Sequence, residues 1–390
     1  MERPTARPFN WHYGLIAPLL IFLSLTFLIP LGLVFWTSVS DRELPNALPH
    51  LAAVLRGWDG EGAPPEAAQA ALAEDLRATP PEKLAALGRR LSYEDPRLNA
   101  LLRQTAQQLK TTNSGPSQIN PRWLDEGTWR ILKRAAGPVD TFYLLAAFDL
   151  RWEFGQGLVD AYKTGGLYRL ILLRTVIIAA LTSVSAIVLG FPLCYYLSRT
   201  SAVIRQVAVI VIMLPFWTSI VVRTTAWIVL LQDRGVVNRL LQAIGITDHP
   251  LGLLYNRFAV VVVMTHVMLP FLALPLLASM RATDDRLMQA ASSLGAYPLY
   301  AFRRVYLPQV IPGLAAGAML VFVSSLGFYI TPALVGGPGD QTIGNYITLF
   351  TVGTSNWGLA ASLGLTLTIL TAFLLTLKYV MPRTLRTASR

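Results

Sequence analysis

Apolar residues gather in long runs at Leu15 to Trp36, Thr175 to Leu197, Gln206 to Val222, Ala259 to Met280, Leu314 to Val335 and Ala360 to Met381. The first is about 22 residues long and at ~1.5 Å per residue reaches roughly 33 Å, enough to cross a bilayer core. Together the runs predict six membrane-spanning helices. Ala226-Trp227-Ile228-Val229-Leu230-Leu231 is apolar but too short to cross, so the stretch from Arg223 to Val237 reads as an interfacial continuation of the third span. Pro215, Pro270, Pro275 and Pro332 lie in or beside the runs; neighbouring helices in a bundle can satisfy the carbonyls that proline frees. The first run exceeds a signal-peptide core and contains Pro18, Pro30 and Gly32, so an uncleaved span is expected despite the small residues Ser38-Val39-Ser40.

From Asp41 to about Gly166 the pattern changes to mixed charges, paired prolines at Pro64, Pro65, Pro80 and Pro81, and alanine- and leucine-rich stretches of helical period. It predicts a soluble, mainly helical insertion. Helices are expected over Ala67 to Leu76, Pro81 to Leu91, Asp95 to Lys110 and Asn120 to Ala136, with a linker at Thr111 to Pro116.

Composition agrees: 53% of residues are hydrophobic and only 14% charged, where soluble chains carry about a quarter charged. Beyond Tyr168 the only carboxylates are Asp233, Asp248, Asp284, Asp285 and Asp340, none inside an apolar run. The formal charge of +11 need not mean nucleic acid. With a cytoplasmic N-terminus, the inner ends of six spans hold Arg3, Arg7, Arg199, Arg205, Arg281, Arg286, Arg303, Arg304, Lys378, Arg383, Arg386 and Arg390 against Glu2, Asp284 and Asp285, a positive-inside bias. The insertion then lies outside. The lone Cys194 falls within a run, permits no intrachain disulfide and reads as a small buried apolar residue.

Between the fourth and fifth runs stands Asp284-Asp285-Arg286-Leu287-Met288-Gln289-Ala290-Ala291-Ser292-Ser293-Leu294-Gly295, continuing through Phe302 to Leu307-Pro308. Small side chains at Ala290, Ala291, Ser292 and Ser293 suit a short helix gripped by another protein, and Gly295 lets the backbone turn without a Cβ clash. The segment resembles the E-A-A-x3-G loop of binding-protein-dependent ABC importer permeases. That resemblance implies a type I permease fold and a coupling helix, formed around Gln289, Ala290, Ala291, Gly295, Phe302, Leu307 and Pro308, seated on an ATPase subunit. Gln289 stands where the family usually has Glu, which removes one charge from that seat.

Two further blocks resemble the polyamine (spermidine/putrescine) branch. One is Leu214-Pro215-Phe216-Trp217-Thr218-Ser219 with Val222 to Trp227; the other runs from Gly327-Phe328-Tyr329-Ile330-Thr331-Pro332 to Pro338 and closes at Ile343 to Ile347. The resemblance implies small organic cations as cargo and nominates Trp217, Arg223, Trp227, Phe328, Tyr329 and Thr331 for the path. Aromatic faces offer ~0.5–2 kcal/mol per cation–π contact. Interfacial anchoring competes as the role of Trp217 and Trp227, and snorkelling as that of Arg174 and Arg223. With no acid in any run, cation selectivity would come from a binding protein or a second permease. Other solutes remain open: an opine, an amino acid derivative or a ferric complex, or an anionic or zwitterionic solute were either arginine to line the path. An ATP-independent carrier, and a sensor role for the insertion, also remain open.

No G-x4-G-K-[ST] loop occurs, the pair Lys163-Thr164 lacking the preceding glycines. His12, His50, His249 and His266 are too scattered to nominate a metal site. The expectation is therefore a transporter subunit that binds no cofactor or metal itself, ATP and Mg being handled by a partner ATP-binding dimer. Its other partners would be a second permease, a periplasmic solute-binding protein and the lipid bilayer. The expected layout is residues 1–40 for the cytoplasmic N-terminus and first span, 41–167 for the periplasmic insertion, and 168–390 for a five-helix core with the coupling loop at 281–313, all in a bacterial inner membrane with both termini cytoplasmic.

Overall fold

The computed structural model describes residues 12–112, 114–153, 157–161 and 166–387, with side chains over 16–112, 114–152, 157–161 and 166–376. Glu2, Arg3, Arg7, Lys163, Thr164 and Arg390 lie outside the described residues, as do the side chains of His12, Lys378, Arg383 and Arg386. The chain forms two compact units, one of Met1–Ala161 with Phe350–Leu365 and the other of Tyr162–Leu349 with Thr366–Arg390.

The first unit begins with the span Ile16–Val39 (α1), whose apolar side chains, Phe22, Phe27 and Leu33 among them, are exposed throughout. Helices follow at Glu43–Ala47 (α2), Pro49–Arg56 (α3), Glu66–Ala78 (α4), Pro81–Ser92 (α5), Arg97–Leu109 (α6), Glu126–Ala135 (α7) and Phe142–Ala147 (α8). The helix expected over 120–136 is in fact a 3-10 turn at Pro121–Leu124 followed by α7. The chain carries two N-caps in succession there: Asn120 accepts from the amide of Arg122, and Asp125 from those of Gly127 and Thr128. An antiparallel hairpin of Leu150–Glu153 (β1) and Gly157–Asp160 (β2), with Leu150 opposite Asp160, closes the insertion.

Leucines at helical spacing build the insertion's core, including Leu44, Leu48, Leu51, Leu72, Leu87 and Leu102, around the fully buried Trp123 and Trp129. Both indole N–H groups are satisfied, Trp123 donating to Thr105 Oγ1 at 2.9 Å and Trp129 to the Trp123 carbonyl at 2.8 Å, as buried polar atoms require. Asp75, buried on α4, accepts from the Leu51 amide at 2.8 Å and so caps the start of α3. Lys133 closes the other end, donating to the carbonyls of Leu55 and Arg56.

Arg90 ties these helices to the end of α1. Its buried guanidinium bonds Asp41 at 2.5 Å, Glu94 at 2.8 Å and Asp140 at 3.4 Å, and lies 3.7 Å over the Phe142 ring. Burial by itself would lower its pKa; Glu94 and Asp41 more than reverse that and hold it charged. The Asp140 amide donates to the Val39 carbonyl at 2.9 Å.

The second unit carries Leu167–Arg199 (α9), Ala202–Trp217 (α10), Ile220–Leu231 (α11), Val236–Ala243 (α12), Arg257–Ala282 (α13) and Arg286–Ser293 (α14). Then come Pro298–Leu326 (α15), Ile330–Val335 (α16), Ile343–Thr348 (α17) and the last helix Trp357–Thr387 (α18), whose first turns belong to the first unit. Among the described residues α1, α9, α13, α15 and α18 are long and apolar enough to cross a membrane, and α10 with α11–α12, bent by 104°, makes a sixth candidate.

Two expected spans are corrected. The third, 206–222, is no straight helix: it breaks at Thr218 and Ser219, three residues past Pro215, and turns through the bend into α11. The fifth, 314–335, begins instead at Pro298 and ends at Leu326. Proline accounts for that ending. In a continuous helix Pro332 would clash with the Phe328 carbonyl four residues back; here Pro332 lies in the first turn of α16, and the freed carbonyl accepts from Thr342 Oγ1 at 3.1 Å.

Glycines set the packing of α13 on α15. A Cβ at Gly313 would stand 2.3 Å from Ser279 Cβ, and one at Gly317 2.8 Å from the Leu272 carbonyl. These glycines, four apart on one face, let the two backbones touch, as small residues do between helices in lipid. Cys194, buried against the same cluster on α9, directs its thiol at the Ala273 carbonyl.

Candidate functional site

Helix α14 projects from the connection between α13 and α15 with nearly every side chain in solvent. Its start is shaped by Asp284, whose carboxylate accepts from the Arg286 amide at 2.9 Å. Its end explains the spacing of the motif. Gly295 has φ of +85°; its amide donates to the Ser292 carbonyl and that of Ala296 to the Ala291 carbonyl, each at 3.0 Å. This pair of bonds is the Schellman motif, in which the left-handed glycine follows four positions after the residue whose carbonyl closes the loop. The backbone carbonyl at 291 and the glycine at 295 are thus one device. Nothing lies within 4 Å of a Cβ built at Gly295, so backbone conformation, not space, demands glycine. Beyond the turn, Ala291, Leu294, Gly295, Ala296, Tyr297 and Tyr300 line an open hollow of about 470 Å³, with Leu294 89% and Tyr297 82% exposed.

The implied coupling residues divide by placement. Gln289, Ala290, Gly295 and Pro308 are exposed, while Ala291, Phe302 and Leu307 are half-buried. Phe302 turns inward: it stacks on Tyr306 with centroids 5.5 Å apart and meets Tyr195 and Phe191 of α9 edge-on at 5.8 and 6.2 Å. Arg199, ending α9, lies 4.0 Å over the Tyr195 ring and 5.0 Å over that of Tyr306, and reaches Asp285. In the sequence Arg199 reads only as one of many inner-end cations. Its partners lie too far along the chain for spacing to reveal them.

At the opposite ends of α13 and α15, the block after Gly327 folds into a cap. Arg257 Nε donates to Asp340 Oδ1 at 3.0 Å, the Ile343 amide donates to Thr175 Oγ1 at 3.0 Å, and Gly344 admits the Tyr329 side chain. Thr331 is buried with its hydroxyl 3.3 Å from that of Thr224. Because Thr224 already donates to the Ile220 carbonyl at 2.8 Å, Thr331 is the donor of the pair.

The proposed path residues are only partly brought together. Trp227 Nε1 donates to His266 Nδ1 at 3.2 Å, and Trp227 packs with Phe328 on one apolar cluster. Trp217 stands apart, 87% exposed at the bend. Arg223 folds back to donate to the Thr218 carbonyl at 2.9 Å, capping the break between α10 and α11. Gly313 and Gly317 were legible as a small-x3-small pair but carry no chemistry that would have drawn attention.

Apolar helices of spanning length around a protruding, glycine-terminated helix define the membrane-embedded subunit of a transporter. The chain belongs to the family described as binding-protein-dependent transport system inner membrane component, whose model matches residues 157–387. It is a multi-pass membrane protein of that ABC importer permease family. It is 31% identical over 209 residues to the spermidine/putrescine transport system permease protein PotB of Salmonella typhimurium (strain SL1344), covering 54% of this chain and 73% of the relative. It is 35% identical over 219 residues to the inner membrane ABC transporter permease protein YdcU of Escherichia coli (strain K12), covering 53% and 69%. A crystal structure of a bacterial ABC transporter for import of the acidic polysaccharide alginate aligns with a TM-score of 0.49 at 18% identity, covering 62% of this chain and 88% of that one.

Proposed function

We propose that this permease imports polyamines or related small organic cations by alternating access. Two permease subunits would pair over an ATP-binding dimer that hydrolyses ATP with Mg, and a periplasmic binding protein would deliver the solute. The exposed, Schellman-capped α14 carries this reading, since it presents small side chains and an apolar hollow to a partner at one end of the bundle. In this arrangement α14 faces the cytoplasm with both chain termini, and the insertion, residues 41–167, faces the periplasm. The likeness to a spermidine/putrescine permease supplies the solute class.

The test is ATP-dependent uptake of radiolabelled putrescine and spermidine by cells lacking the native chain and complemented with it. Wild type should restore uptake and Gly295→Trp, which places an indole in the exposed hollow and a side chain at a left-handed φ, should abolish it. An ATP-independent carrier would ignore that substitution. An anionic ligand co-purifying with the cognate binding protein would sink the polyamine assignment while leaving the importer standing. That second reading is favoured by one observation: none of the helices α1, α9, α10, α11, α13, α15 and α18 carries a carboxylate among its described residues.

A further inference from the structure

We propose that Trp227 and His266 wall a recess that passes the ammonium and methylene segments of the solute, and that Trp227 holds His266 uncharged there. The inference rests on the polyamine reading and deepens it.

The recess, of about 450 Å³, opens between α9 and α13 beside α11, and its walls include Ser185, Val188, Trp227, Thr265, His266 and Leu269. His266 sits well inside α13, and an ionisable side chain at such a position in a membrane helix faces protein or a water-filled path, not lipid. Its Nδ1 accepts from Trp227 Nε1 at 3.2 Å, the rings meeting edge-on with centroids 5.7 Å apart. An indole N–H can only donate, so the nitrogen it meets bears no proton. Imidazolium carries a proton on both nitrogens and cannot make this contact. The bond therefore selects the neutral ring with its proton on Nε2.

A second observation points to a ligand. Thr265, adjoining His266 in the wall, is 3% exposed, and its hydroxyl has no partner among the described residues; such a buried group is normally satisfied. Ser185 offers a hydroxyl oxygen to an ammonium, the unsatisfied Thr265 hydroxyl lies behind the same wall, the indole offers a π face, and the valine and leucine walls suit a methylene chain. The charged group that α11 presents towards His266 is Arg223, whose guanidinium is turned to the Thr218 carbonyl. The residues that α9 and α13 contribute are apolar or hydroxylic apart from His266 itself. Protonating His266 would put a positive charge in a wall that has no acid to offset it, and would repel the cation.

Uptake of radiolabelled putrescine and spermidine is measured from about pH 5.5 to about pH 7.5, spanning the ordinary histidine pKa. Complemented cells carry wild type, Trp227→Phe, His266→Gln or His266→Lys in the full-length chain, each in its complete transporter. Relative to wild type, Trp227→Phe should lose uptake towards the acid end, since protonation of Nδ1 no longer has to break the indole bond. His266→Gln, whatever its absolute rate, should show no loss confined to the acid end, and His266→Lys should lose uptake throughout the range. A flat profile in Trp227→Phe, or wild-type uptake by His266→Lys, overturns the inference and leaves the polyamine reading intact. If Trp227→Phe fails to accumulate in the membrane, the Gln and Lys pair decides alone. Wild type taking up neither amine overturns the polyamine reading, and the inference falls with it.

Discussion

Nη2 of Arg199 lies 3.4 Å from Oδ1 of Asp285, joining the end of α9 to the residue that precedes α14 across 86 positions of sequence. The pair is partly exposed, at 34% and 66% for the two side chains, so the ion pair itself contributes little, about 0–1 kcal/mol. Most of the hold comes from the guanidinium lying over Tyr195 and Tyr306.

Asp285→Asn should therefore change solute transported per ATP hydrolysed by no more than about fivefold, whereas Arg199→Gln should lower it more. Arg199→Lys should fall between, because an ammonium cannot stack flat on the rings. Parallel assays of ATPase rate and uptake in proteoliposomes check this. Equal losses in Asp285→Asn and Arg199→Gln would mean that the ion pair, not the stack, transmits the motion.

At Gly295 the cost is conformational. Placing alanine at φ of +85° costs about 1–2 kcal/mol, enough to fray the last turn of α14. Asparagine tolerates the left-handed region better, so Gly295→Asn should retain more uptake than Gly295→Ala at equal membrane abundance. The reverse order would refute a conformational role.

The buried Arg90 cluster should govern the insertion's stability. Arg90→Met leaves Asp41, Glu94 and Asp140 without their shared cation, and breaking such a buried pair costs about 3–5 kcal/mol. Limited proteolysis of the purified chain should cut the variant's insertion first, with the membrane helices still protected.

On α15, Gly317→Ala forces a Cβ to 2.8 Å from the Leu272 carbonyl, and overpacking of this kind costs about 1–3 kcal/mol. Gly32→Ala meets nothing within 4 Å and serves as the control. The first should lower the thermal midpoint in detergent, and the second should leave it unchanged or slightly raised.

His50 supplies a pH dependence. Its pKa is raised above 6.5, chiefly by the hydrogen bond to Asp75 and also by that carboxylate's charge. A histidine whose folded pKa exceeds its unfolded value contributes stability fully below the unfolded value and loses it as pH rises through the folded one. The midpoint difference between wild type and His50→Gln should be largest below pH 6.5 and vanish on the alkaline side. A difference that grows with pH would reverse the sign of this account.

The sequence made the spans legible because burial in lipid imposes one requirement, apolar length, that needs no partner to be read. It made the coupling segment legible for a similar reason: Ala291 and Gly295 form a local device whose bonds close within six residues. The break at Pro332 was visible as a proline, yet the helix's true end depended on Thr342, ten residues on, accepting the role of donor to the freed Phe328 carbonyl. In the insertion, Asn120 and Asp125 were both present as cap residues, but a continuous helix and two capped pieces share the same period.

By itself, then, the sequence determined a multi-span membrane subunit with a soluble insertion and a glycine-terminated helix for a partner, since hydrophobic length and helix-end chemistry are local. Tertiary structure alone decided that Phe302 points inward onto α9 and that Trp227 meets His266 across two helices. Each of these depends on which side chains packing brings within about 3–6 Å, and no periodicity along one helix encodes the neighbour on the next.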